Sequence, residues 1–222
     1  MRWFVLLLAS VQYAAGLATT PQRVFCYGDS LTAGTSPPLD YLYPYAPSLE
    51  QALGTATAVV RHRGLPGATA AMMLQNPDDE IRGLRGLLKK TQPALVVILA
   101  GTNDLGYNSE SAPIVTAVCG LHEIAHSLGI STVAVGIPPS AYQSMQSEAA
   151  ELANMVNREL QAWCGDRPGS LCTFTDHPVA SWSKGDARWA PDGLHFSPEG
   201  YRVLGEGLAP VVSEMLLHVS ER

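Results

Sequence analysis

Short apolar runs alternate with longer segments of helical periodicity along this chain of 222 residues. The central run, 94–100, is apolar throughout, which is typical of a parallel strand covered on both faces. The segment before it, 80–92, carries isoleucine and leucines at helical spacing and ends at Pro93. This alternation predicts parallel strands joined by right-handed helical crossovers in a three-layer α/β domain.

The same reasoning extends over most of the chain. The predicted strands are 24–28, 57–61, 94–100, 131–137 and 171–175. The predicted helices are 44–53, 80–92, 111–128, 140–163 and 198–217. Hydrophobic residues make up 46% of the chain and charged residues 15%, which is enough apolar material for one core. We predict a single domain over 22–219, without internal repeats.

The first eighteen residues have the pattern of a secretory signal peptide. Arg2 gives a basic start, 3–11 is apolar, and small residues follow between 14 and 18. The apolar run is too short to span a bilayer, and no other run is long enough to do so. We therefore predict a signal peptide at 1–18 and a secreted protein. The alternative is a cytoplasmic protein whose first residues form a core helix.

Charge and cysteine spacing exclude several classes of partner. The formal net charge is −6, which argues against nucleic acid. The glycine-rich nucleotide-binding patterns are absent, as is any C-x-x-C pair. Cys26 and Cys119 are predicted to be buried free thiols. Cys164 and Cys172 flank a loop, and whether they form a disulfide is left open.

The first strand ends abruptly in Gly28-Asp29-Ser30. In open α/β sheets, ligands bind at the carboxyl ends of the strands, so this serine is predicted to lie in a binding site. A serine hydroxyl needs a base to become a good nucleophile. Asp192 and His195 are three residues apart, close enough for the carboxylate to orient the ring. We therefore predict Ser30 as the nucleophile, His195 as its base and Asp192 as the orienting acid.

Three residues that follow the first three strands are predicted to meet at one edge of the sheet. They are Ser30, Gly67 and Asn103. The N–H groups of Ser30 and Gly67, with the Asn103 side-chain amide, would form an oxyanion hole. Each residue also has a simpler interpretation: Ser30 and Asp192 as helix caps, Gly67 and Asn103 as turn residues, and His195 as a loop histidine. Asp29 and Asp104 are predicted to bind nearby backbone.

Four motifs, in this order along the chain, resemble the GDSL family of esterases and lipases, also called SGNH hydrolases. They are Gly-Asp-Ser-Leu at 28–31, Gly-Leu-Pro-Gly-Ala-Thr at 64–69, Gly-Thr-Asn-Asp at 101–104 and Asp-Gly-Leu-His at 192–195. The resemblance implies a three-layer α/β/α sandwich with a five-stranded parallel sheet in the flavodoxin-like order 2-1-3-4-5. It also implies ester hydrolysis through an acyl-enzyme, without a metal or other cofactor.

The sequence predicts the class of substrate but not its identity. We predict a small-molecule ester with a short acyl chain; the alternative is an acylated sugar, which would make the protein a carbohydrate O-deacetylase. A third interpretation, an inactive binding domain, is disfavoured because the predicted catalytic residues are intact. The residues predicted to line the rim of the site are Leu39, Tyr41, Leu42, Tyr43, Tyr107, Trp182 and Trp189.

A competing motif lies at 122–126, where His-Glu-Ile-Ala-His matches the zinc-peptidase pattern H-E-x-x-H. In that alternative the two histidines bind zinc, Glu123 is the base, and Glu148 or Glu151 is a third ligand. The longer pattern of some zinc peptidases fails, because Thr132 stands where it requires a histidine. A five-residue pattern often arises by chance, so we expect no metal.

Overall fold

The computed structural model describes residues 20–220, so the predicted signal peptide at 1–18 lies outside the described residues. In this part of the chain, five parallel strands form one sheet in the order 2-1-3-4-5. The strands are β1 (Gln22–Gly28), β2 (Ala58–Gly64), β3 (Leu95–Leu99), β4 (Ser131–Val135) and β5 (Cys172–Thr175). The order and the parallel directions confirm the predicted fold.

Eight α-helices and one 3-10 turn accompany the sheet in the described residues. The helices are α1 (Ser30–Ala33), α2 (Ala46–Leu53), α3 (Ala70–Met73), α4 (Leu84–Thr91), α5 (Ser111–His126), α6 (Ala141–Met145), α7 (Ser147–Gly165) and α8 (Pro198–Ser220), and the 3-10 turn is Asn103–Gly106. The single helix predicted at 140–163 is wrong, because Gln146 adopts an extended conformation and separates α6 from α7. The chain carries neither Pro nor Gly there to indicate the break.

The sheet separates two layers of helices. Successive residues of a strand point to opposite faces, and β1 shows this directly. Phe25 and Tyr27 pack into the layer that contains α4, α5 and α7, whereas Val24 and Cys26 pack into the layer that contains α2 and α8. Every residue of β3 is buried, as predicted for a central strand. Within residues 20–220, no helix combines the length and the apolar character that crossing a membrane requires.

Candidate active site

The turn after β1 places Ser30 at the carboxyl edge of the sheet. A Cβ added at Gly28 would lie 2.0 Å from the Leu99 carbonyl oxygen and 2.5 Å from Thr32 Oγ1, so only glycine allows β1 to approach β3 this closely. Asp29 caps α1 by accepting a hydrogen bond from the Leu31 N–H at 2.8 Å. Ser30 is the first residue of α1, where backbone N–H groups have no partner within the helix.

The structure brings Ser30, His195 and Asp192 together from opposite ends of the chain. Ser30 Oγ lies 2.9 Å from His195 Nε2. On the other side of the ring, His195 Nδ1 lies 2.7 Å from Asp192 Oδ2. With Nδ1–H donating to the carboxylate, Nε2 presents its lone pair to the serine hydroxyl. The arrangement can therefore transfer the Ser30 proton to His195.

Asp192 is held in one orientation by its own turn. Its Oδ1 accepts hydrogen bonds from the backbone N–H groups of Leu194 and His195, both at 3.0 Å. Burial opposes ionisation, but the hydrogen bonds from the His195 ring and from these N–H groups keep the pKa of Asp192 below its usual range. The carboxyl group is therefore ionised at neutral pH and could stabilise a positive charge on the ring.

Gly67 and Asn103 lie where β2 and β3 end. Gly67 has φ +76°, a conformation that favours glycine, and the space where a Cβ would point is open. Asn103 begins the 3-10 turn, and its side-chain amide donates to the Ala68 carbonyl at 2.9 Å. Because that amide carries two hydrogens, the bond to Ala68 orients it and leaves the second hydrogen for a ligand. Asp104 ties the two segments together by accepting from the Ala70 N–H at 2.9 Å.

The loop that carries His195 is fixed by aromatic packing. Trp189 and Phe196 form an antiparallel bridge, and their ring centroids are 4.6 Å apart. The prediction that Trp189 lines the rim is therefore wrong, because this side chain is buried in the core. Trp182 is half-buried, and a Cβ added at Gly193 would lie 3.1 Å from its Nε1. Tyr41 remains exposed, as a rim residue should be.

Asp29 adds a buried carboxyl group beside the site. Burial raises its pKa to about 7, and the charge of Asp104 acts in the same direction. Its Oδ1 caps α1, while its buried Oδ2 has no hydrogen-bond partner among the described residues. The predicted backbone-binding roles of Asp29 and Asp104 are confirmed. The raised pKa is a property that the sequence did not indicate.

Asp29 should make stability depend on pH. A carboxyl group with a raised folded-state pKa contributes stability below about pH 4, and that contribution is lost as the pH rises through about 7. An asparagine side chain at this position cannot titrate but still caps the helix. Between pH 4 and pH 8 the wild type should lose as much as about 4 kcal/mol of unfolding free energy through Asp29, and the Asp29→Asn variant should not. The variant's unfolding free energy minus that of the wild type should therefore increase by this amount. Urea titrations at both pH values measure this change; an unchanged difference would contradict it.

The histidines of the competing motif lie near the amino edge of the sheet. His122 Nδ1 and His126 Nε2 both contact Thr132 Oγ1, at 2.8 and 2.9 Å. Glu148 and Glu151 lie near the start of α7, about three turns or more from Trp163, which packs against both imidazole rings. Neither glutamate is therefore positioned as the third ligand.

The four cysteines are all free thiols in the structure, which confirms the prediction for Cys26 and Cys119. Cys164 and Cys172 are buried, and their Sγ atoms lie 2.8 Å apart. One potential ligand atom of Cys172 lies within 4.8 Å of one from each of His122 and His126. The sequence did not reveal this proximity, because Cys172 is distant from the two histidines along the chain.

Comparison with known proteins agrees with this architecture. The GDSL-like Lipase/Acylhydrolase family matches residues 26–203. The structure is similar to a mutant acetyl esterase with an acetate ion, at 16% identity and TM-score 0.68, over 89% of this chain and 99% of that one. It is also similar to a family 3 carbohydrate esterase from Clostridium thermocellum, at 17% identity and TM-score 0.68, over 89% and 98% of the two chains.

A third solved structure, a family 3 carbohydrate esterase from Talaromyces cellulolyticus, has 14% identity and TM-score 0.65, over 88% of this chain and 98% of that one. No match was found among curated proteins. Identities this low support a common fold, and the family match extends from β1 into α8. The chain belongs to the GDSL-like lipase/acylhydrolase family and is a carboxylic ester hydrolase.

Proposed function

We propose that the protein is a serine esterase that hydrolyses short-chain acyl esters through an acyl-enzyme intermediate. The observation that carries the proposal is the continuous contact from Ser30 Oγ through His195 to Asp192, at 2.9 and 2.7 Å. His195 Nε2 takes the hydroxyl proton as Ser30 Oγ bonds to the ester carbonyl carbon. The Asp192 carboxylate stabilises the imidazolium that forms.

The carbonyl oxygen becomes negatively charged during this attack and needs hydrogen-bond donors. In our proposal the donors are the backbone N–H groups of Ser30 and Gly67 and the Asn103 side-chain amide. The open space beside Gly67 and the fixed orientation of Asn103 support this role. Donors that are already oriented stabilise the developing charge without reorganising, which makes such groups a large part of catalysis.

After accepting the serine proton, His195 acts as an acid and then again as a base. His195 Nε2–H donates its proton to the leaving alcohol oxygen as the bond from the carbonyl carbon breaks. A water molecule then gives a proton to His195 and attacks the acyl-enzyme. The resulting intermediate releases the carboxylic acid, and His195 returns the proton to Ser30 Oγ. The cycle thus needs the substrate, one water molecule and no cofactor.

The Asn103→Ala variant should lower kcat for p-nitrophenyl acetate by about 10²- to 10³-fold with a smaller change in KM, since the lost donor acts mainly in the transition state. Asn108→Ala is a matched control, because the Asn108 amide also donates to a backbone carbonyl, that of Asp104 at 3.0 Å. We expect the control to keep kcat within about threefold of the wild type. Equal losses in both variants would contradict the proposed role of Asn103.

Acetylated sugars form a second class of proposed substrate. The three solved structures described above are an acetyl esterase and two carbohydrate esterases. Ser30 is only 6% exposed, which favours a small acyl group, whereas Tyr41 and Tyr107 are 77% and 80% exposed and suit stacking on a sugar ring. A small acyl group on a larger leaving group fits both observations.

A substrate panel tests this proposal. We expect kcat/KM to fall at least about tenfold from p-nitrophenyl acetate to the octanoate, because little of Ser30 is exposed and a small acyl group reaches it most easily. The rate of acetate release from acetylated xylose, compared with the rate from ethyl acetate, then tests whether the enzyme prefers a sugar as the leaving group. A preference for octanoate would contradict the short-chain proposal, and equal rates for the two acetates would remove the sugar preference. Ser30→Ala protein provides the background rate.

We further propose that residues 1–18 are a cleaved signal peptide, that residues 22–219 form one esterase domain, and that the protein is secreted. The basic start, short apolar run and small residues of the first eighteen positions support this. Expression of the full chain in a secreting eukaryotic host should release protein whose N-terminus lies close to residue 19. Retention inside the cell with an intact first segment would contradict it.

A further inference from the structure

A cluster of metal-binding side chain types lies at the edge of the sheet opposite Ser30. His122 and His126 are one helical turn apart at the end of α5, and Cys172 is the first residue of β5. One potential ligand atom from each of these three residues lies within 4.8 Å of the other two. Ser30 and Asn103 follow the carboxyl ends of their strands, so this cluster is separate from the proposed catalytic site.

Two of these three side chains are buried and His126 is partly exposed, and one imidazole nitrogen has no hydrogen-bond partner among the described residues. His122 is 0% exposed and Cys172 is 2% exposed. The Thr132 hydroxyl lies between the rings, with Oγ1 at 2.8 Å from His122 Nδ1 and 2.9 Å from His126 Nε2. His122 Nε2 is buried and has no partner among the described residues. A buried imidazole nitrogen without a partner is costly, and a metal ion is one way to satisfy such a cluster.

A fourth donor lies beside the cluster. Cys164, near the end of α7, has its Sγ 2.8 Å from that of Cys172. Two imidazoles and two thiols are the donor set of a structural zinc site. Tetrahedral zinc with ordinary bond lengths separates such donor atoms by about 3.3 to 3.8 Å. The ligand atoms of His122, His126 and Cys172 lie within 4.8 Å of one another, so zinc binding would require the side chains to adjust and the Thr132 hydroxyl to move aside.

We propose that His122, His126, Cys164 and Cys172 bind one zinc ion at a structural site. The ion would join the ends of α5 and α7 to the start of β5. Four protein ligands fill a tetrahedral coordination sphere, so no position remains for a reacting water. The site is therefore distinct from that of a zinc peptidase. Glu123 is consistent with this, because it is exposed and pairs with Arg167 at 3.7 Å.

The surroundings suit a closed site. The Trp163 ring lies 5.5 Å from the His122 ring and 5.9 Å from the His126 ring, between centroids. The Arg167 guanidinium covers Trp163 at 3.4 Å from the ring centroid. The Trp163 ring therefore packs against both imidazole rings, as a hydrophobic neighbour of a structural metal would. A Cys164–Cys172 disulfide is the competing outcome; it would consume both thiols and leave His122 Nε2 without a partner.

The test uses the full chain, purified with a non-thiol reductant and then dialysed against zinc. We expect about one zinc ion per chain by mass spectrometry of the metal content. Cys172→Ser and His126→Gln should each weaken zinc binding at least about tenfold. Cys119→Ala is the matched control, a buried thiol on α5 that is not a proposed ligand, and it should bind zinc as the wild type does.

Cobalt(II) binding to the wild type provides a second test that does not depend on whether a variant folds. In the wild type, cobalt should give an intense thiolate-to-cobalt charge-transfer absorption, and zinc should displace it. Zinc removal by a chelator should lower Tm while p-nitrophenyl acetate hydrolysis below Tm continues. Reduced wild-type protein that binds neither metal would overturn the proposal. So would zinc binding that Cys172→Ser leaves unchanged, or a Tm that does not respond to zinc removal.

Discussion

Replacing Ser30 with alanine is expected to lower kcat for p-nitrophenyl acetate by about 10⁴- to 10⁶-fold. The reason is that the hydroxyl oxygen forms the covalent bond to the acyl group, and Ser30 Oγ is the oxygen in contact with His195 Nε2 at 2.9 Å. The variant keeps the backbone N–H at position 30 and the other proposed oxyanion donors, so a small residual rate above that of water should remain. Steady-state hydrolysis, followed at saturating substrate, measures the effect.

The control for this variant is Ser131→Ala. Ser131 is also buried, but it opens β4 at the opposite edge of the sheet and donates to the Ser170 carbonyl at 2.8 Å. We expect its kcat to stay within about threefold of the wild type, although its Tm should fall by a few degrees. The Ser30→Ala protein should unfold at nearly the wild-type temperature. A Ser30→Ala variant with more than about a tenth of the wild-type kcat would show that another group is the nucleophile.

The His195→Ala variant should show a loss of similar size, about 10⁴- to 10⁶-fold in kcat. Ser30 and His195 act as one unit, because the hydroxyl is nucleophilic only when the imidazole accepts its proton. Their effects should therefore not add, and the double variant should be about as slow as either single variant. His218→Ala, a change in the last turn of α8, is the histidine control and should retain activity.

The double variant separates two explanations of a slow His195→Ala enzyme. If His195 activates Ser30, removing Ser30 as well costs little more. If His195 acts only through the structure of its loop, the two losses multiply, and the double variant is slower than either single variant by several further orders of magnitude. Hydrolysis rates of all three proteins, measured with Tm on the same samples, distinguish these outcomes.

The sequence predicted that the candidate site residues lie together at one edge of the sheet. Ser30, Gly67 and Asn103 each follow an apolar run, and parallel strands place their carboxyl ends at one edge. The alternation of runs and amphipathic segments therefore predicted both the sheet and the place of these residues. The strand order itself came from the family resemblance, because spacing along the chain does not determine which strands are neighbours.

Other features depend on contacts that no local pattern encodes. The helices α1 and α3 are each four residues long, too short for an amphipathic period to show. Trp189 looks like a rim residue in the sequence, but its bridge to Phe196 places it in the core. Cys172 meets the histidines of α5 only because β4 and β5 pair in register, with Thr132 opposite Cys172.

Covalent labelling tests the central claim most directly. A fluorophosphonate reacts with a serine that is already activated, so it reports the state of the Ser30 hydroxyl without relying on a choice of substrate. We expect digestion and mass spectrometry of the labelled wild type to place the adduct on Ser30 alone, with little or no labelling in the Ser30→Ala and His195→Ala variants. An adduct on a different residue, or an active enzyme in which Ser30 stays unlabelled, would contradict the account.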